Sequence, residues 1–157
     1  NLYHSIITGG RERKVLKMWV NIIACVYLGI CAVFDYIKKE IPLFVVWLGI
    51  ITAIILRAAG FLGGTTLWGL GMSLLPGIFF WILGFVTREQ VGYGDGWLLL
   101  MIGLFVGYEN CFVVLLIGLV TESSVALLLL VFRKIHRDEE VPFAPFLLLG
   151  MVMLLWP

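Results

Sequence analysis

A bundle of six transmembrane α-helices is the fold this sequence predicts, and three observations carry the prediction. The 157-residue chain is 62% hydrophobic and only 13% charged, with a mean hydropathy of +1.08. An ordinary soluble domain is about half apolar and about a quarter charged. The charges fall in clusters, with apolar runs between them. Several of those runs approach the about 20 helical residues needed to cross a hydrocarbon core of about 30 Å.

The elements follow in order. The first apolar run, 18–34, stops at "DYIKKE", and the second, 41–59, stops at Gly60. The third, 67–86, stops at "TREQ". The stretch 97–132 is too long for one helix and is interrupted by "GYENC". It divides into helices at 97–108 and 111–132, the former short for a full span and open to a re-entrant reading. After the charged loop "RKIHRDEE" the last helix covers 142–157. Residues 1–17 read as an N-terminal tail, trimmed or foreign, outside a membrane domain of 18–157.

Composition also excludes classes. A net charge of +1 and the lack of a basic face argue against nucleic acid as a partner. Cys25, Cys31 and Cys111 lie in apolar runs without C-x-x-C spacing, so they read as small buried hydrophobes. His4 and His136 have no second ligand beside them, and neither a metal nor a cofactor is expected.

Charge in short loops sets orientation. With six spans, one face carries Lys38, Lys39, Arg88, Arg133, Lys134 and Arg137. The other carries Arg57, plus Arg11, Arg13, Lys14 and Lys17 of the tail. The first face therefore reads as cytoplasmic.

Two acids stand out. Asp35 ends the first run and Asp95 opens the fourth helix. Counting spans puts both on the basic face, at similar depth. One Asp at a helix end is commonly a solvated charge or a cap. Asp95, however, sits in "GYGDG", where Gly92, Gly94 and Gly96 remove the surrounding Cβ atoms and let another chain approach. Two carboxyls held close share a proton. The ionised one serves as base toward water, and the protonated one hydrogen-bonds the carbonyl under attack. That is amide hydrolysis by an aspartic pair, and it needs convergence of the two carboxyls in one wet pocket.

The motifs that carry this chemistry resemble those of the type IV prepilin peptidases. "FDYIKKEIP" looks like their first Asp motif, "GYGD" is similar to their G-x-G-D, and "VPFAPFLLLG" resembles their late Pro-rich segment. The resemblance covers about 18–157, in the family's order. It implies an integral-membrane aspartic endopeptidase that removes the basic leader of prepilins and pseudopilins at the cytoplasmic face. Asp35 and Asp95 are then the catalytic pair, Gly92 and Gly94 the motif glycines, and Pro142 and Pro145 supporting residues. Leu43, Trp97 and Ala144 depart from the residues the family often has there. Larger members add an N-terminal methylating domain with cysteine pairs. The resemblance to the small branch implies cleavage without methylation. The presenilin-like proteases share the order of motifs more distantly.

Glu122 lies within the fifth helix, where an acid is costly and lines a cavity or bonds a neighbouring helix. Trp19, Trp68, Trp97 and Trp156 sit near span ends as interfacial anchors. The alternative function is a small acid-lined transporter or channel. Both acids at one surface, and no inverted repeat, weigh against it. The substrate expected is a helix-forming apolar segment with a basic leader, its scissile strand accommodated beside the glycines around Asp95.

Overall fold

The computed structural model describes residues 2–60, 62, 67–87, 93–132 and 141–155, with backbone alone at 2–14 and 67. Six helices make up these residues: α1 (Leu2–Lys38), α2 (Leu43–Ala58), α3 (Leu67–Val86), α4 (Tyr93–Val106), α5 (Tyr108–Val131) and α6 (Ala144–Leu155). Three segments, Val15–Lys38, Trp68–Val86 and Tyr108–Val131, are long and apolar enough to cross a membrane. The helices α2, α4 and α6 are also apolar but shorter. Large apolar side chains such as Trp19, Val26, Phe44, Trp68, Phe85 and Leu127 point outward. Such an apolar exterior suits lipid rather than water.

Helix α4 is the hub. It packs on α1, α2, α3 and α5, and Leu98, Leu99, Met101, Ile102 and Phe105 are almost wholly inaccessible. It is 14 residues long, about 21 Å at about 1.5 Å per residue. The closest approach is to α3. A Cβ on Gly77 would come within 2.8 Å of the Gly96 carbonyl oxygen, and one on Gly103 would collide with the Ser73 carbonyl. Backbone lies against backbone along this contact, as small residues permit between membrane helices. On the far side of the bundle α6 packs between α1 and α5.

Boundaries differ from the sequence reading in instructive ways. Helix α1 does not stop at Phe34; it carries Asp35 within its last turn and ends beyond it at Lys38. It also starts at Leu2, so the backbone of the tail residues 2–17 continues the same helix. Helix α4 starts at Tyr93, which places Asp95 in its first turn. The break between the fourth and fifth helices falls at Gly107, whose φ of 81° favours glycine.

Candidate active site

Asp35 comes from α1 just before the chain reverses. Lys39 adopts a left-handed φ of 51°, and its N–H donates to the Asp35 carbonyl at 2.9 Å, closing the helix as a C-terminal cap does. Pro42 then caps α2, its carbonyl accepting from Val45 and Val46. The turn between them delivers Ile41 against α4. A Cβ at Gly94 would lie 2.7 Å from the Ile41 Cδ1 and 2.9 Å from its Cβ. The residue six positions after the first acid thus packs on the residue preceding the second. Asp35 and Asp95 lie at the same end of the bundle, joined through this contact.

Asp35 is buried, 7% exposed. Its Oδ2 accepts a 2.9 Å hydrogen bond from the N–H of Ala144. Ala144 is the first residue of α6, since the carbonyl of Phe143 accepts from Leu147 at 3.2 Å. The opening N–H groups of a helix have no partner inside it. Pro145 has no N–H to offer, and Phe146 donates to Phe143 at 3.0 Å. Asp35 therefore acts as the cap of another helix, and the Pro-rich segment presents the Ala144 N–H to it. Phe143, itself buried, stacks on Phe80 of α3 with rings 6.0 Å apart and 3° from parallel, which fixes the start of α6.

Asp95 is half-buried in the first turn of α4, where a carboxylate complements the helix dipole. Around it the space left by the glycines is occupied by the protein itself. Ile41 fills the place of a Cβ at Gly94, and a Cβ at Gly96 would meet the Trp81 nitrogen at 3.1 Å and the Gly77 carbonyl at 3.2 Å. Those two glycines serve close packing, so the room expected there for a substrate strand is taken. Trp97 packs between Trp47, at 5.0 Å, and Trp81, at 6.4 Å.

Glu122 is half-buried on α5. The antiparallel register of α5 and α6 brings Gly150 against Val114 and Gly118 against Leu147. One turn further along α5, Glu122 is level with Ala144, the residue that donates to Asp35. Pro142 and Pro145 are half-buried at the start of α6. Gly92, Arg88 and the loop cations Arg133, Lys134 and Arg137 lie outside the described residues. Among the described residues no three His, Cys, Asp or Glu side chains cluster to hold a metal.

Sequence reasoning missed two participants. The Ala144 N–H is a main-chain donor, and no side-chain identity announces it; the flanking prolines were the signal that a helix begins there. Ile41 stands within the first Asp motif, "FDYIKKEIP", but its packing on Gly94 depends on the turn at Lys39.

The fold and this end of the bundle define an all-helical membrane protein with two acids on adjoining segments. By sequence, the chain belongs to the type IV leader peptidase family, whose model it matches over residues 22–135. It is 32% identical over 79 residues to a prepilin leader peptidase/N-methyltransferase of Aeromonas hydrophila, covering 49% of this chain and 27% of that one. The same figures hold for the protein of that name from Pseudomonas aeruginosa. With that of Stutzerimonas stutzeri it shares 33% over 94 residues, covering 57% of this chain and 32% of the relative. The matched stretch spans about a third or less of these relatives. No solved structure matches the chain.

Proposed function

We propose that the protein is an aspartic endopeptidase of the cell membrane that cleaves the basic leader from prepilin-like or pseudopilin-like substrates. In this reading all six helices span, the end bearing Asp35 and Asp95 faces the cytoplasm, and these two residues are the catalytic pair. The observation that carries the reading is the meeting of all three family motifs at one end of the bundle. Ile41 of the first motif packs on Gly94 of the second, and Ala144 of the third donates to Asp35. The proposal concerns cleavage alone; methyl transfer appears in the names of the relatives.

The chemistry uses one carboxylate and one carboxylic acid. The carboxylate takes a proton from water as the water oxygen bonds to the carbonyl carbon. The acid hydrogen-bonds the carbonyl oxygen while the tetrahedral carbon forms. As the C–N bond breaks, the leaving nitrogen receives a proton from a carboxyl group. The Ala144 N–H holds Oδ2 of Asp35 and so fixes the orientation of that carboxyl. Pro142 and Pro145 support this arrangement by setting where α6 begins. Gly94 keeps the two Asp-bearing segments close, and Gly92 belongs to the same motif. Glu122, level with Ala144, brings a further acidic side chain to the end where the basic leader of the substrate is expected.

The test is co-expression with a tagged prepilin, comparing the parent with Asp35→Asn and Asp95→Asn. Each substitution should abolish the mobility shift of leader removal while the protein level holds. Processing that persists in both variants would reject the assignment.

A further inference from the structure

We propose that α3, which carries none of the three motifs, sets the spacing of the two acids through two consecutive positioning residues, Phe80 and Trp81. Phe80 reaches the start of α6. Its ring stacks on that of Phe143, with centroids 6.0 Å apart and planes 3° from parallel. Phe143 is buried and precedes Ala144, whose N–H donates to Oδ2 of Asp35. Trp81 reaches the start of α4. Its indole meets the Tyr93 ring at 6.5 Å and the Trp97 ring at 6.4 Å, edge to face in both cases. Those rings stand two residues before and two residues after Asp95.

The sequence of α3 makes this double reach possible. Successive residues of a helix turn by about 100°, so neighbours in sequence face different partners. Gly77 stands four residues before Trp81 and shares its face. The two press on α4 at one point: a Cβ on Gly96 would meet the Trp81 nitrogen at 3.1 Å and the Gly77 carbonyl oxygen at 3.2 Å. Backbone contact of this kind fixes how far α3 stands from the turn that holds Asp95. One residue earlier, Phe80 is rotated toward α6 and packs against the core.

Each of the two residues acts through the segment that carries or holds an acid. Loss of the Phe80 ring frees the start of α6, and with it the donor to Asp35. Loss of the Trp81 ring frees the turn that carries Asp95. Either change leaves both carboxyls in the chain but displaces one against the other. A displacement of about 1 Å can cost on the order of a hundredfold in rate. The kinetic consequence rests on the peptidase reading, whereas the contacts themselves do not.

The experiment follows cleavage of a tagged prepilin by the full chain in detergent, together with amide hydrogen exchange. Phe80→Leu and Trp81→Leu should each lower kcat by about tenfold or more, with KM within about twofold of the parent, at parent-like helix content. Phe80→Tyr and Trp81→Phe, which keep a ring, should restore kcat to within about threefold. Trp68→Leu, at an exposed position near the other end of α3, should leave kcat unchanged. The Ala144 amide should exchange about tenfold faster in Phe80→Leu and at the parent rate in Trp68→Leu. Should Phe80→Leu fail to fold, Phe143→Leu removes the other ring of the same stack and carries the same expectations. Three results would overturn the proposal: parent-like kcat in either leucine variant at positions 80 and 81, an equal loss in Trp68→Leu, or unchanged exchange at Ala144 in Phe80→Leu. A parent chain that leaves prepilin uncut would instead refute the peptidase reading, and exchange at Ala144 would still test the Phe80 contact.

Discussion

The two ends of the bundle handle charge by mirrored means. At one end the acid Asp35 takes an N–H from the start of α6. At the other the base Arg57 gives an N–H to the carbonyl of Leu104 near the end of α4. Helix starts expose donors with partial positive charge, and helix ends expose acceptors with partial negative charge. Each side chain therefore meets the helix terminus that suits its sign. The difference lies in what surrounds each group. Asp35 has a second acid at its end of the molecule, on a segment that its own turn touches. Arg57 has a second cation and a cavity. The shared device holds charge in place, and the neighbours decide what the charge is for.

The comparison breaks hardest at the acids. Asp35→Asn and Asp95→Asn should each lower prepilin cleavage by about a thousandfold or more, with unchanged helix content by circular dichroism. An active Asp35→Asn protein would leave the acid end as merely the mirror of the basic one.

Next comes the helix that connects the two ends. At Gly103→Leu the new side chain meets the Ser73 backbone, which has no rotamer with which to give way. Unfolding in detergent should show a loss of about 3 kcal/mol. Gly29→Ala, where a Cβ meets nothing within 4 Å, should instead stabilise by about 0.5–1 kcal/mol.

At the basic end, Arg57→Gln removes the charged donor to Leu104. A stability loss of about 2 kcal/mol is expected in the same unfolding assay, with cleavage of prepilin retained. Smallest is the acid end's own bond. Proline is tolerated at the first position of a helix, so Ala144→Pro deletes the N–H facing Asp35 while leaving α6 able to form. Cleavage should fall about tenfold, the equivalent of about 1.4 kcal/mol, with a stability loss of about 1 kcal/mol for the bond removed from the buried carboxyl. A parent-like rate would show that the bond caps α6 and does no more.

Much of this was legible in the residues. Apolar runs between charge clusters located all six helices, because each apolar segment in such a chain must form a helix. Counting crossings put Asp35 and Asp95 at one end without any coordinates. The ends of the helices were less legible. Charged "DYIKKE" reads as loop, but α1 runs through Asp35 because its basic last turn suits a C-terminus. The glycines of "GYGDG" read as open backbone, whereas Gly94 and Gly96 are where other segments press in. Legibility failed at the Ala144 N–H and at the Leu104 carbonyl. Main-chain groups are the same at every residue, so only tertiary geometry selects which ones hold a charge.

The burial of α4 has a mechanical consequence. Lipid bilayers vary in thickness, and spanning helices answer by tilting or by deforming the membrane around them. The helix bearing Asp95 is walled by protein from Leu98 to Phe105 and locked backbone to backbone on α3. In the proposed membrane orientation, thinning or thickening of the bilayer would fall on its outer neighbours, and the depth of that acid would be set by the protein.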